Sequence, residues 1–258
     1  MPRRLRFVFG ALALVACGPA APTRGTVLGD GVAEAWFEVR ANATDLVPVR
    51  VVFPSDEAGV PRARAARGLV FIQGGLVAEG RYVWLARALA ARGVVVALPR
   101  HVADLAILSA ENGRAAGGLL RDGPGLLAGA VHPEHVAVAG HSLGAVVAGK
   151  LMLGADFTSV SYLAGYPEAS DVAALSAQRG PALAIAGTAD CTAKLPDVRG
   201  SLSGLGPLRL IELEGVTHYQ FTDSDAQDVS SGCVPGVALD TAHRLIADAL
   251  FDFIGARP

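Results

Sequence analysis

Three short stretches of this chain carry side chains that could do chemistry together. The first is Gly140-His141-Ser142-Leu143-Gly144, a serine flanked by glycines. The segment 135–139 before it reads as a strand, and the small and apolar residues from Leu143 onward read as a helix. A serine on a sharp strand-to-helix turn stands clear of the sheet, where its hydroxyl can act as a nucleophile. Glycines at 140 and 144 suit a turn too tight for side chains. The helix N-terminus behind the serine adds free N–H groups and the positive end of a dipole. Alone, G-x-S-x-G is a weak signal in a chain with 31 glycines. The strand–turn–helix context gives it force, against the plain reading of a glycine-softened turn in a nucleotide-binding type of α/β protein.

A serine nucleophile needs a base for its proton and an acid to orient that base. On a sheet of this kind the chain order is serine, acid, histidine. Only His218 and His243 follow Ser142. His243 shares helical spacing with Leu239 and Ile246, which points to a structural role. His218 lies in Glu214-Gly215-Val216-Thr217-His218-Tyr219-Gln220-Phe221, just beyond a strand at 209–213, and is read as the base. The acid is expected at a strand end between the two. Ala184-Ile185-Ala186-Gly187-Thr188-Ala189-Asp190 delivers Asp190 there. Glu168, Asp171 and Asp197 compete, and Asp190 would also serve as a helix N-cap. His141 reads as a packing or pocket residue, and His101 as a cleft residue.

Two backbone N–H groups must meet the charge that develops on an attacked carbonyl oxygen. One is assigned to Leu143. The other falls in the loop Phe71-Ile72-Gln73-Gly74-Gly75-Leu76-Val77, at Gly75 or alternatively at Leu76.

The elements around these stretches follow a pattern. Segments 35–40 and 47–53 predict an opening antiparallel pair, followed by a charged loop at 54–67 with Arg62, Arg64 and Arg67 in solvent. Strands are then expected at 68–72, 94–98, 136–139, 160–164, 183–186 and 209–213. Helices are expected at 79–92, 143–153 and 240–254, with glycine-broken helical pieces at 103–110 and 117–128. Strands alternating with helices mean an α/β fold with a mostly parallel sheet covered on both faces. Residues 26–258 are expected to form one such domain.

Composition narrows the function. The 258 residues carry 22 Lys+Arg against 24 Asp+Glu, a formal net charge of −2, which argues against a nucleic-acid partner. The mean hydropathy of +0.41 raises a membrane question. No apolar run reaches the roughly 18 residues of a spanning helix, so a multi-pass protein is excluded. Three cysteines make neither a disulfide scaffold nor zinc-ligand spacing. No metal and no organic cofactor is implied.

The N-terminus gives the odd cysteine a role. Arg3, Arg4 and Arg6 precede an apolar run at 7–16, which is signal-peptide-like in length. Leu14-Val15-Ala16-Cys17 resembles a bacterial lipoprotein box. The resemblance implies a signal peptide at 1–16, a lipid on Cys17 and a tether over 17–25. It places the protein in the cell envelope, held to a membrane, with Gly18 favouring the outer membrane where one exists. An ordinary secretory signal cut at another small residue is the alternative. Cys191 and Cys233 then form an even pair in an oxidising compartment. Their disulfide would close a loop of about 43 residues, worth about 4 kcal/mol by chain entropy.

The run FIQGGLVAEGRYVWLARALAARGVVVALPRH, then GHSLG, GTAD and EGVTHYQF, resembles the α/β-hydrolase superfamily, in particular its dienelactone-hydrolase-like branch (α/β-hydrolase fold-5). The resemblance spans about 68–222. It implies Ser142 as nucleophile, Asp190 as acid, His218 as base, and Leu143 with Gly75 or Leu76 as oxyanion donors. Gln73 stands where many relatives have histidine, and TDSDAQDVSSGC after Phe221 is the chain's own. About 18 residues, 165–182, separate the strands where relatives insert a cap, so a small or absent cap is expected. The expected function is hydrolysis of small or medium carboxylic esters. Thioesters, amides and lactones are open to the same triad, and an inactive lipid-anchored binding protein is the reading from another class.

Overall fold

The computed structural model describes residues 21–255 except 63, 65, 155, 179 and 225–231. The signal peptide, Cys17 and the start of the tether lie outside the described residues.

Nine strands form one sheet in the order β1-β2-β3-β5-β4-β6-β7-β8-β9. Strands β1 (Thr26–Gly29), β2 (Val32–Arg40) and β3 (Leu46–Pro54) are an antiparallel flank, and β3 also runs antiparallel to β5 (Val94–Pro99). The remaining pairs are parallel, through β4 (Ala66–Ile72), β6 (Val131–His141), β7 (Val160–Leu163), β8 (Ala182–Gly187) and β9 (Leu208–Leu213). Burial explains the difference in composition. VVVALP in β5 and ALAIAG in β8 are buried throughout, as expected for strands covered on both faces. In β2 exposed Trp36 and Glu38 alternate with buried Ala35 and Phe37, as on a strand with one face toward solvent.

Side chains of β4 divide between two cores. Val70 and Ile72 join one with α2 (Ala110–Asp122), α3 (Leu143–Leu153), α4 (Val172–Gln178) and α5 (Leu195–Leu202). Leu69 and Phe71 join the other with α1 (Val83–Ala90) and α6 (Leu239–Gly255). The chain leaves β4 for β5 on one side and returns to β6 on the other. This reversal places the loops after β4 and β6 side by side, with Ile72 paired to Gly140. A crevice at the carboxyl ends of strands is favoured at such a point.

Two expectations need correction. The helical pieces at 103–110 and 117–128 are short 3-10 turns at Val102–Asp104, Ala106–Leu108 and Gly125–Leu127 around one continuous helix, α2, which ends as expected at a glycine, Gly123 at φ 52°. Its glycines do not break it, because they let it press on its neighbours. A Cβ on Gly113 would stand 2.6 Å from Leu151 Cδ1, and one on Gly117 2.8 Å from Phe157 Cζ. The helix expected at 79–92 opens as a 3-10 turn, Glu79–Tyr82, before α1. Short α4 and α5 went unread in the sequence. Among the described residues no helix is long and apolar enough to cross a membrane.

Candidate active site

Strand β6 ends and α3 begins at Ser142, whose φ of 52° and ψ of −121° are strained for a residue with a side chain. The surroundings enforce the turn. The Ser142 N–H donates to the Leu163 carbonyl at 2.9 Å, and the Ser142 carbonyl accepts from the Ala145 N–H at 2.9 Å. A Cβ on Gly140 would overlap the Gly144 carbonyl, and one on Gly144 would overlap the carbonyls of Ile72 and Gln73. Both glycines are therefore steric requirements of the crossing between α3 and the sheet.

The turn presents Ser142 Oγ at 2.9 Å from His218 Nε2, and His218 Nδ1 lies 2.8 Å from Asp190 Oδ2. An ionised carboxylate only accepts, so Nδ1 carries the proton and Nε2 accepts from the serine hydroxyl. The other carboxylate oxygen, Asp190 Oδ1, accepts from the N–H groups of Thr192 and Ala193, both at 2.8 Å. Asp190 and His218 are buried, at 5% and 3% exposure. Asp190 caps no helix, since the next one begins at Leu195 after Lys194; its Oδ1 instead holds the turn at Thr192 and Ala193 while its Oδ2 orients His218. The competing carboxylates are engaged elsewhere. Glu168 and Asp171 both pair with Lys150, and Asp197 lies in the first turn of α5.

Leu143 opens α3, where the first N–H groups of a helix lack intrahelical partners. In the facing loop the Gly74 N–H donates to the Tyr82 hydroxyl at 2.9 Å, and the Leu76 N–H donates to the Asp104 carbonyl at 2.9 Å. Leu76 is therefore corrected as an oxyanion donor: its amide is spent. The Gly75 amide between them enters neither bond. A Cβ on Gly75 would stand 3.1 Å from Leu143 Cδ2, so the two candidate donor residues are in contact. The Asp104 carboxylate also accepts from Gln73 Nε2 at 3.0 Å. Gln73 thus ties this loop to the turn at Val102–Asp104.

A cleft of about 240 Å³ beside Ser142 is lined by Leu143, Val146, Tyr166, Thr192 and Ala193. Cys191 and Cys233 are joined as a disulfide with Cα atoms 6.0 Å apart, tying the acid loop to the chain beyond His218. His243 is structural as read, stacked on Trp84 at 3.6 Å with Nε2 2.7 Å from the Thr222 carbonyl. Among the described residues no cluster of His, Cys, Asp and Glu could hold a metal.

His141 does more than pack. Its Nδ1 lies 2.9 Å from the Tyr82 hydroxyl, and its Nε2 lies 3.2 Å from the His218 carbonyl. Burial, and then the neighbouring His218, hold its pKa well below the ordinary imidazole range. In the sequence Tyr82 lies on the apolar face, with Leu85 and Leu89, of the helix expected at 79–92. The available signal was that a fully buried tyrosine needs a partner for its hydroxyl.

Comparison with known proteins agrees with this geometry. A family model described as the alpha/beta hydrolase family matches residues 68–232. Among solved structures, a dienelactone hydrolase from Anabaena variabilis superimposes with a TM-score of 0.63 at 17% identity. The match covers 86% of this chain and 98% of that one. At that identity it speaks for the fold alone. No curated protein sequence matches the chain.

Proposed function

The chain belongs to the alpha/beta hydrolase family, and from that premise we propose that it is a serine hydrolase of small or medium carboxylic esters. The observation that carries the reading is the unbroken chain of hydrogen bonds from Ser142 through His218 to Asp190. Ser142 Oγ attacks the ester carbonyl carbon while His218 Nε2 takes the hydroxyl proton. Asp190 holds the imidazole in the accepting tautomer and stabilises the imidazolium that forms. The carbonyl oxygen gains negative charge between the amides of Gly75 and Leu143. Collapse expels the alkoxide, which leaves with the proton from His218. Water, deprotonated by the same nitrogen, then releases the acid and restores Ser142.

The cleft of about 240 Å³ and its apolar wall support a short acyl or alcohol group, since it is smaller than drug-sized ligand pockets. A panel of p-nitrophenyl esters of increasing acyl length tests both parts. Turnover should be highest for short chains and absent from Ser142→Ala. A wild-type chain that turns over none of them would overturn the reading.

The lipoprotein-like start supports a lipid anchor on Cys17 in the cell envelope. Membrane fractions should hold the wild-type protein and release Cys17→Ala. Equal partition of the two would count against the anchor.

A further inference from the structure

The buried contacts of Tyr82 and His141 fix the direction of every hydrogen bond between them. The His218 carbonyl can only accept, so His141 Nε2 carries its proton. A neutral imidazole then has an accepting Nδ1, and the Tyr82 hydroxyl must donate to it. The same hydroxyl oxygen accepts from the Gly74 N–H. One relay results: Gly74 N–H to Tyr82, Tyr82 O–H to His141, His141 N–H to the His218 carbonyl. Tyr82 and His141 are 0% and 1% exposed, so water does not replace any member. Burial also raises the Tyr82 pKa, so the phenol keeps the proton the relay needs.

The ends of this relay matter more than its middle. The Gly74 carbonyl shares a peptide plane with the Gly75 N–H. It accepts from the Val77 N–H at 3.3 Å while Tyr82 holds the Gly74 nitrogen, so the aim of the Gly75 amide is set from both sides of Gly74. Space around Gly74 is closed to a side chain, since a Cβ there would stand 2.9 Å from His141 Nδ1 and 3.0 Å from the Tyr82 oxygen. His141 is joined by a peptide bond to Ser142, and its ring stacks on Phe221 at 5.6 Å. The far end holds the main chain of His218 itself. Three segments that carry the reaction centre are thus joined behind it.

We propose that Tyr82 and His141 are positioning residues that set the oxyanion loop, the nucleophile and the base in register. This rests on the serine-hydrolase reading. It assigns to buried side chains, none of which touches substrate, a share of the transition-state geometry. A donor that is misaimed rather than deleted should cost less than the ~10²–10³-fold of outright removal.

The test is a pair of single variants, Tyr82→Phe and His141→Leu, with their double, assayed on a short p-nitrophenyl ester well below each variant's Tm. Each single should lower kcat ~10–100-fold with KM changed less than ~3-fold. The double should lose no more than the worse single, because one chain is broken only once. An unchanged kcat in Tyr82→Phe, or losses that multiply in the double, would overturn the relay. Should His141→Leu fail to fold, Tyr82→Phe alone decides, since it keeps the ring and removes one oxygen. The relay is also read without turnover, from ¹⁵N shifts of the labelled histidines. His141 should be neutral with its proton on Nε2, and a proton on Nδ1 would overturn the proposal. A wild-type chain with that tautomer but no ester turnover would instead count against the serine-hydrolase reading.

Discussion

Ser142 Oγ lies 2.9 Å from His218 Nε2, and Ser109 Oγ lies 3.1 Å from His101 Nδ1. Both are serine–histidine pairs on a buried imidazole, and their distances are close, but Ser109 is buried whereas Ser142 is partly exposed. Their other ring nitrogens differ. His218 Nδ1 meets the Asp190 carboxylate at 2.8 Å, whereas His101 Nε2 is buried with no hydrogen-bond partner among the described residues. Burial pushes the His101 pKa down to about 4, with Ser109, Glu111 and Asp104 opposing only in part. Ser109 also sits just before α2 with a negative φ of −150°, while Ser142 is held at φ 52° on a turn whose next residue, Leu143, packs beside Gly75. Proximity of serine to histidine alone therefore does not mark a candidate active site. The orienting carboxylate, the strained turn and the neighbouring Gly75 loop distinguish the two pairs.

The largest expected effect is at Ser142. Ser142→Ala should cut kcat by ~10⁵-fold or more, read on a p-nitrophenyl ester. Asp190→Asn comes next, because it brings the first pair closer to the second: a buried histidine without a carboxylate. A loss of ~10⁴-fold in kcat is expected, with the fold intact by circular dichroism. Replacing both bridge cysteines, Cys191→Ser with Cys233→Ser, removes a tie the second pair never had. Stability should fall by about 2–4 kcal/mol in urea unfolding.

The His101 pair gives a smaller, pH-dependent effect. Its pKa is about 4 folded against an ordinary 6.5, so the folded state binds fewer protons between those values. The resulting stability is full above about pH 6.5 and is lost as pH falls toward 4. His101→Gln should make that acid-side loss shallower by roughly 1–3 kcal/mol, followed as the urea midpoint from pH 7 to 4. Smallest of all, Ser109→Ala should leave kcat/KM within ~2-fold of wild type. A loss at Ser109 near that at Ser142 would erase the distinction between the pairs.

The sequence carried the candidate residues Ser142, Asp190 and His218 because their logic is local. A serine between glycines after a strand, an aspartate at a strand end and a histidine past the last strand each lie where parallel topology delivers them. Two features resisted for a shared reason: their partners are remote along the chain. Gly75 and Leu76 are separated only by the Asp104 carbonyl, which lies on a different loop. The relay joins Tyr82 to His141 across 59 positions and His141 to His218 across 77. The glycines of α2 misled in the opposite direction. Composition shows them as helix breakers, whereas packing against Leu151 and Phe157 leaves no room for a side chain at Gly113 and Gly117.

Covalent labelling with a fluorophosphonate probe tests the central claim most directly, with the modified residue mapped by peptide mass spectrometry. Modification should fall on Ser142, leave Ser109 untouched, and slow sharply in Asp190→Asn. Modification of Ser109, or none on Ser142 in folded wild-type protein, would contradict the account.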